Sequence, residues 1–336
     1  MRIGNLYGPD ATFLGVPAAD PEDLAQWSSA QAVIVGAPFD GGTSHRAGCR
    51  FGPQVIRLTD YLPHDGKRPS LALGLDPLVE LGVVDLGDVE MPSGETEKSL
   101  ALLEERVAAV AGAGVIPVVL GGDHTIALSD VRGVARHAGF GRVSVIHFDA
   151  HADTGDTQMG SLYGHGTPMR RLIESGACRG DRFLQVGLRG YWPEPATLTW
   201  MADQGMRSFE MSEVVSRGLD AVLEEAIDRA MDDCDAVFLS VDIDVVDPGS
   251  APGTGTPEPG GLTSRQLLDA VRRIAMEVPL AGVDVVEVSP PYDHAEITAY
   301  LANRVVLEAL GGLAWRRRGE RGETGRTPSD PLLKGR

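Results

Sequence analysis

The sequence has few cysteines and none of the paired spacings that mark a metal or redox motif. Its three cysteines, Cys49, Cys178 and Cys234, are widely separated in 336 residues, and no CxxC pair occurs. This pattern argues against a zinc ribbon and against a dithiol redox motif. It is typical of reduced thiols in a cytoplasmic protein.

Long apolar runs are also missing. The first ten residues, MRIGNLYGPD, contain no apolar stretch of the kind a signal peptide needs. The longest weakly polar run, from Val107 to Gly122, is too short to cross a bilayer and is interrupted by two glycines and a proline. We therefore expect a soluble, cytoplasmic protein without a membrane partner.

Positive charge is scarce. The chain has 30 Lys and Arg residues against 48 Asp and Glu residues, which gives a net charge of −18. Nucleic acid is not an expected partner, because binding it requires a basic surface. The acidic balance weakly favours a cationic substrate, although much of it serves solubility. The length suits one large α/β domain with a substantial core.

Short apolar segments alternate with longer amphipathic stretches from about residue 30 to about residue 312. The predicted strands are Ala32–Gly36, Val83–Leu86, Ile116–Leu120, Val143–Asp149, Phe183–Val186, Met206–Phe209, Ala236–Val241 and Gly282–Glu287. The clearest predicted helices are Thr96–Ala113, Met211–Met231, Ser264–Met276 and Glu296–Gly311. Strands rich in Val, Ile and Leu predict a parallel sheet with both faces buried. Periodicity alone does not distinguish a barrel from an open sheet.

The two ends of the chain differ from this body. Residues 1–30 are predicted to be irregular, because proline and aspartate interrupt any periodic pattern. Residues 31–315 form the predicted domain. Residues 316–336, RRRGERGETGRTPSDPLLKGR, are basic, glycine-rich and poor in apolar residues, so we expect a disordered tail.

Histidines and aspartates follow three of the predicted strands. Residues 147–153 read HFDAHAD, residues 240–244 read SVDID, and residues 121–125 read GGDHT. Alternate side chains of an extended chain share one face, so each of the first two motifs directs its donors to one side. Active sites of α/β proteins lie at the carboxyl ends of strands. The candidate metal ligands are His124, Asp149, His151, Asp153, Asp242 and Asp244.

Four carboxylates in one buried site require positive charge nearby. Burying them together is strongly unfavourable unless cations neutralise them. Two divalent ions would do so, with Asp149 and Asp242 able to bridge them through both oxygens. Mixed histidine and carboxylate ligation suits manganese. A solvated acidic loop is the alternative for any one motif, but three strand ends with metal-binding residue types favour a metal site.

These motifs carry a resemblance to a known family. GGDHT, DAHAD and SVDIDVVDP resemble the signature motifs of the ureohydrolases, which include arginase, agmatinase, guanidinobutyrase and proclavaminate amidinohydrolase. The resemblance runs from about Val33 to about Leu310, and residues 36–53 resemble the agmatinase branch. It implies a three-layer α/β/α fold with a mostly parallel eight-stranded sheet, and not a barrel. It also implies a homo-oligomer, trimeric or hexameric.

The resemblance further implies a role for each donor. The matching positions are His124 with Asp153 for one Mn²⁺, His151 with Asp244 for the second, and Asp149 with Asp242 as bridges. His147 is expected to be a core histidine or to support a ligand. Glu287 matches the glutamate that holds the guanidinium by two hydrogen bonds. His165 matches the histidine that gives a proton to the leaving amine, and Asp153 would help the metals to stabilise the tetrahedral intermediate.

The predicted reaction is hydrolysis of a linear guanidino compound to urea and an amine, with agmatine to putrescine preferred. Arginases hold the amino-acid head group of their substrate with residues that have no counterpart at Thr154–Asp156 or Gly190–Trp192. A guanidinobutyrase or a proclavaminate-type amidinohydrolase is the alternative. A substrate with a carboxylate tail remains an alternative, because three arginines lie near the motifs in sequence: Arg170, Arg171 and Arg189.

Two other functions are disfavoured. Another dimetal hydrolase, such as a phosphatase, conflicts with Glu287, which would repel an anion. A non-catalytic metal-binding subunit conflicts with a complete ligand set accompanied by His165 and Glu287.

Overall fold

A single parallel sheet organises the chain in the computed structural model, which describes residues 5–61 and 68–323. The strands are β1 (Ala32–Ala37), β2 (Val84–Asp88), β3 (Ile116–Gly121), β4 (Val143–Phe148), β5 (Cys178–Leu188), β6 (Arg207–Glu210), β7 (Ala236–Asp242) and β8 (Leu280–Val286). Their order is β2-β1-β3-β8-β7-β4-β5-β6, and every neighbouring pair is parallel. β2 and β6 form open edges, so the sheet is not a barrel.

Helices cover both faces of the sheet. They are α1 (Gly52–Leu58), α2 (Pro77–Leu81), α3 (Thr96–Gly112), α4 (Ala127–Ala138), α5 (Pro168–Glu174), α6 (Pro195–Asp203), α7 (Met211–Arg217), α8 (Leu219–Met231), α9 (Ser264–Glu277) and α10 (Ile297–Glu320). Along β1, Ala32 and Ile34 belong to the core cluster that includes residues of α8, α9 and α10, whereas Val33 and Val35 belong to the cluster that includes residues of α3 and α4. The predicted three-layer α/β/α fold is confirmed.

The predicted helix Met211–Met231 is wrong in one respect, because it is two helices. α7 ends at Arg217 and α8 begins at Leu219, and between them Gly218 has φ 85° and ψ 143°. A residue with a side chain rarely adopts this conformation, so the glycine allows the chain to break there. A capping box begins α9, where the Thr263 hydroxyl accepts a hydrogen bond from the backbone amide of Gln266 at 3.2 Å.

The expected boundary of the tail at residue 316 is wrong, because α10 continues to Glu320. Arg316 donates a hydrogen bond to the carbonyl of Glu277 at 3.0 Å and also pairs with Glu320 one turn later. These contacts extend the helix past the point where apolar residues end. Residues 324–336 of the expected tail lie outside the described residues. At the other end, residues 5–30 form two short 3₁₀ turns, at Phe13–Gly15 and Leu24–Gln26, and one isolated bridge between Ala18 and Asp85 of β2.

The strand order brings the three motifs together. GGDHT follows β3, SVDID ends β7 and HFDAHAD ends β4, while Glu287 follows β8 directly. β3, β8, β7 and β4 are consecutive in the middle of the sheet. Four neighbouring strands therefore deliver the candidate site residues to one edge. Within residues 5–61 and 68–323, no helix has the length and apolar character needed to span a membrane.

Candidate metal centre

The first group of donors surrounds one nitrogen of His124. Its Nδ1 lies 3.1 Å from Asp149 Oδ2, 3.0 Å from Asp153 Oδ2 and 3.3 Å from Asp242 Oδ2. All four side chains are buried. Neither His124 Nδ1 nor Asp149 Oδ2 makes a hydrogen bond of acceptable geometry to any described residue. Such atoms face a common centre without bonding to each other, which is the arrangement of ligands around an ion.

The second group contains His151. Its Nδ1 lies 3.0 Å from Asp244 Oδ2 and 3.5 Å from Asp149 Oδ1. Asp149 thus presents one oxygen to each histidine and belongs to both groups. Asp242 faces His124 with Oδ2, while its Oδ1 accepts a hydrogen bond from the Asp244 amide at 2.8 Å. The six predicted ligands are therefore brought together as two adjoining sets.

Hydrogen bonds behind His124 determine which of its nitrogens carries the proton. Ser240 Oγ donates its only proton to Asp284 Oδ1 at 2.7 Å, so it must accept from His124 Nε2, 2.9 Å away. The neutral ring then presents an unprotonated Nδ1 to the carboxylates. A lone pair against three carboxylate oxygens is repulsive unless a cation lies between them.

The charge of the cluster also indicates that cations lie between these side chains. Burial opposes ionisation of His124, yet the surrounding aspartates raise its pKa well above the usual value. Burial, and then the charges of Asp244 and Asp149, raise the pKa of Asp242 well above its usual range. Without metal, His124 and Asp242 therefore hold protons more strongly than usual, and divalent cations would take the place of those protons. The donor set fits two oxygen- and nitrogen-preferring divalent ions.

His147 lies beside the cluster but is oriented to support a carboxylate. The amide nitrogen of Gln185 lies 3.2 Å from His147 Nδ1 and donates to the carbonyl of Ala152 at 2.7 Å. Since an amide nitrogen only donates, His147 Nδ1 accepts and Nε2 carries the proton. That Nε2 lies 2.9 Å from Asp149 Oδ2. The contact is a close approach without a hydrogen bond of acceptable geometry, and His147 lies in one group with His124, Asp149 and Asp153. A nitrogen that carries a proton cannot ligate a metal, so in this tautomer His147 faces Asp149 and is not a ligand.

His165 and Glu287 form a buried pair next to the metal-ligand cluster. His165 Nδ1 lies 2.9 Å from Glu287 Oε1, which also accepts the His124 amide at 2.8 Å. On its other side, His165 Nε2 lies 2.7 Å from Ser44 Oγ. Burial lowers and the Glu287 charge raises the pKa of His165, with a net value of about 9. This pKa favours the imidazolium at neutral pH, whereas the Ser44 amide, which donates to Nε2 at 3.1 Å, suits the neutral ring.

Two of the predicted catalytic residues have unusual backbone conformations. Asp153 has φ 53° and Glu287 has φ 63°, in the left-handed region that side chains rarely adopt. The Glu287 amide donates to the carbonyl of Gly122 at 2.8 Å, which holds the turn after β8 in place. Such strain persists where the surroundings over-determine it, and it is concentrated at functional sites.

A cavity of about 380 Å³ opens onto the cluster. It is lined by Ser44, His151, Asp153, Thr157, Gln158, His165, Gly166, Trp192, Asp242 and Thr256. Apart from the candidate ligands and His165, these side chains are neutral. Glu287 is 1% exposed and lies behind His165, away from the lining.

The three arginines that suggested a substrate with a carboxylate tail make hydrogen bonds and ion pairs to other groups. Arg189 donates to the main-chain carbonyls of Asp244 at 2.7 Å and Glu258 at 2.6 Å. Arg170 and Arg171 both pair with Glu174, at 3.0 Å and 2.8 Å. None of the three lines the cavity.

Sequence reasoning missed several residues that shape the site. Ser44, Cys49, Ser240 and Asp284 contact His165, Glu287 or His124 directly or through one hydrogen bond. Asp284 alone gave a visible signal, as an acid in the middle of the apolar strand β8.

Comparison with known proteins agrees with this geometry. Residues 30–311 match the family model described as the Arginase family. The chain is 36% identical over 305 residues to a guanidinobutyrase of Pseudomonas aeruginosa, covering 90% of this chain and 92% of the relative. It is 38% identical over 309 residues to an agmatinase of Edwardsiella ictaluri, covering 92% and 94%.

A solved structure shows the same fold. The proclavaminate amidino hydrolase of Streptomyces clavuligerus superposes with a TM-score of 0.83 at 34% identity, covering 92% of this chain and 99% of that one. With a family model that matches most of the chain and relatives above one-third identity, the chain belongs to the Arginase family.

Proposed function

We propose that this protein is a hydrolase that cleaves a linear guanidino compound to urea and an amine at a pair of manganese ions. The observation that carries the proposal is Asp149, whose two oxygens face His124 and His151 from a buried position between the two donor sets. The relatives of this chain include a guanidinobutyrase and agmatinases, whose names describe this class of reaction.

Six side chains would hold the metals. His124 and Asp153 are proposed for one ion, His151 and Asp244 for the other, and Asp149 and Asp242 for both. When bound, the ions would lower the pKa of a water molecule so that hydroxide is available at neutral pH. Manganese is proposed because the donors are imidazole nitrogens and carboxylate oxygens, with no thiolate in either set.

Glu287 is proposed to hold the guanidinium of the substrate. A carboxylate accepts two parallel hydrogen bonds from a planar guanidinium and pairs with its charge. In the structure, Oε1 is occupied by His165 and the His124 amide, and Oε2 accepts the Cys49 thiol at 3.2 Å. Substrate binding therefore requires the His165 ring to release Oε1, which frees an imidazolium beside the reacting group.

His165 is proposed to deliver the proton that the leaving amine needs. Its pKa of about 9 keeps it protonated at neutral pH, and it lines the cavity together with Ser44. The Ser44 amide donates to Nε2 at 3.1 Å and the Ser44 hydroxyl lies 2.7 Å from the same nitrogen, so both contacts orient the ring. Asp153 also lines the cavity, where it can accept a substrate N–H as the guanidinium carbon becomes tetrahedral.

Replacing His165 by Asn should lower turnover by about 10²–10⁴-fold, the usual contribution of a general acid. Metal content should not change, because His165 contacts none of the six proposed ligands by an ion pair or hydrogen bond among the described residues. Turnover and metal content per chain would be measured on the same sample. Loss of metal in the variant would instead place His165 among the ligands.

The pH profile gives a second test of His165. Because its pKa is raised to about 9, the protonated form is complete at neutral pH and is lost as pH rises through about 9. The catalytic efficiency, which reports the free enzyme, should fall along that limb. The limb should disappear in His165→Asn. A profile that is unchanged by the substitution would remove His165 from proton delivery.

Agmatine is the proposed substrate. Apart from the proposed ligands and His165, the described residues that line the cavity are neutral, and the nearby arginines are bound to other groups. Among the described residues, no cation other than His165 and the proposed ligand His151 lines the cavity to pair with a carboxylate tail. An amino-acid head group would meet buried surroundings without paired charges. A guanidino acid is the second candidate, favoured by relatives named guanidinobutyrase and guanidinopropionase at 36% and 39% identity.

A panel of substrates separates these possibilities. Urea release would be measured with saturating manganese on agmatine, 4-guanidinobutyrate, 3-guanidinopropionate and arginine. Agmatine should have the highest catalytic efficiency, and arginine should be poorer by at least about tenfold, the effect of one unpaired polar group. Preference for an acid would move the assignment to the guanidino acid hydrolases. Preference for arginine would contradict the proposed pocket chemistry.

We also propose a cytoplasmic homo-oligomer of three or six subunits. The cysteines are free and buried, which suits a reducing compartment. The oligomer rests on the family resemblance. Light scattering coupled to gel filtration of the manganese-loaded protein would give the subunit number directly.

A further inference from the structure

Two buried carboxyl groups behind the metal-ligand cluster have oxygens that lack a hydrogen-bond donor. Asp130, on α4, and Asp284, on β8, are both 0% exposed. Among the described residues, neither oxygen of Asp130 nor Oδ2 of Asp284 has a hydrogen-bond partner. Burying a carboxylate oxygen without a hydrogen-bond donor costs free energy, and placing two such carboxylates side by side costs more because their charges repel each other.

The two acids face each other where α4 packs on the sheet. They lie within hydrogen-bonding contact, and burial followed by the Asp284 charge raises the pKa of Asp130 well above its usual range. His124 is the other titratable group that acts on Asp130. A proton shared between the two carboxyls supplies the missing donor without any further group.

Asp284 in turn connects to the proposed metal ligand His124. Its Oδ1 accepts the Ser240 hydroxyl at 2.7 Å, and Ser240 Oγ lies 2.9 Å from His124 Nε2. We propose that Asp130 is a positioning residue whose proton bonds Asp284 Oδ2, so that the chain Asp130–Asp284–Ser240–His124 runs in one direction and leaves His124 Nδ1 free for metal.

The direction of the chain follows from donor counting. If Asp130 donates to Asp284 Oδ2, Asp284 remains a carboxylate and can accept the Ser240 proton at Oδ1. Ser240 Oγ then accepts from His124 Nε2, and no proton remains for Nδ1. A carboxylate at the end of such a chain also makes the ligating nitrogen more basic. Asp130 therefore acts on metal affinity from outside the ligand set.

The position of Asp130 argues against a role in packing alone. Its buried neighbours on α4 are mainly apolar, including Ala127, Val131 and Val134. An apolar side chain there would avoid the cost of burying a carboxyl, and such replacements are often neutral or stabilising. The acid is thus best explained by its contact with Asp284.

The test compares Asp130→Leu with Asp130→Asn in the full chain. Leucine removes the donor, whereas the asparagine amide can donate to Asp284 Oδ2. Manganese affinity, measured by competition with a metal-binding dye, should fall about 10–100-fold in Asp130→Leu, the usual effect of losing such support. In Asp130→Asn it should stay within about threefold. Thermal unfolding of the metal-free proteins controls for folding.

The results decide the proposal in either direction. Unchanged affinity in Asp130→Leu, or an equal loss in both variants, would overturn it. Infrared difference spectra of wild type minus Asp130→Asn at neutral pH should show a carboxylic acid carbonyl band that shifts in D₂O, and its absence would also overturn it. This readout remains if the leucine variant does not fold.

The inference rests on the proposed metal site, but the two can fail separately. A wild-type chain that binds no manganese would overturn the proposed function. The infrared band would still establish whether Asp130 is protonated.

Discussion

Replacing Asp149 by Asn should abolish both metal binding and activity. Asp149 presents Oδ2 to His124 at 3.1 Å and Oδ1 to His151 at 3.5 Å, so both donor sets depend on it. An amide offers one neutral oxygen and a nitrogen that cannot ligate. Removing one well-placed group from an active site costs about 10²–10³ in turnover, and loss of a shared ligand should exceed this. Metal per chain by mass spectrometry and urea release would be measured together.

Asp247→Asn is the matched control for this prediction. Asp247 belongs to the same DVVDP sequence as Asp244, but its oxygens accept the amides of Gly249 at 2.9 Å and Gly260 at 2.8 Å. This change should retain two ions and cost about 1 kcal/mol of stability through a weakened loop hydrogen bond. If Asp149→Asn kept two ions and near-normal turnover, the proposed bridging role would be wrong.

Replacing Glu287 by Gln should preserve metal content and strongly reduce catalytic efficiency. The substrate guanidinium would lose its charge partner in a buried position, which typically costs about 2–5 kcal/mol, or roughly 30- to 5,000-fold in rate. Both KM and turnover should suffer, since the same contact orients the guanidinium carbon. Steady-state kinetics with agmatine would measure KM and turnover separately.

A second effect of Glu287→Gln would be a lower pKa for His165. The carboxylate charge is the largest of the effects that raise it, so the alkaline limb of the pH profile should move to lower pH. Glu258→Gln makes the same charge change beside Gly190, outside the proposed catalytic groups, and should leave efficiency unchanged. Unaltered efficiency in Glu287→Gln would remove that residue from substrate binding.

The parallel sheet was predictable from the sequence because its signals are local. Continuous runs of Val, Ile and Leu between amphipathic stretches predict buried parallel strands, and all eight strands are present. The largest difference is at β5, which was predicted as Phe183–Val186 and spans Cys178–Leu188. The helix errors are also local in origin. Gly218 breaks a pattern that is amphipathic on both sides, and ion pairs extend α10 beyond its last apolar residue.

The candidate ligands were predictable for a similar reason. The sequence identified Asp149, His151 and Asp153 as donors at the end of one strand. Their convergence does not follow from the period of an extended chain, because β4 ends at Phe148 and Asp153 has φ 53°. Spacing alone could not establish that GGDHT, SVDID and HFDAHAD meet. Their meeting depends on β3, β8, β7 and β4 being neighbours, and these strands lie far apart in the chain.

The sequence by itself determined a parallel sheet with both faces buried, the donor types and their positions at strand ends, because period and spacing express these directly. The three-layer arrangement was implied only by the family resemblance. The tertiary structure alone decided which nitrogen of His124 and His147 carries a proton, which group covers Glu287, and where the arginines point. These features depend on hydrogen bonds between residues brought together by strand order, such as His165 with Glu287 and Ser240 with Asp284. A hydrogen-bonded network has direction only when all its donors and acceptors are in place.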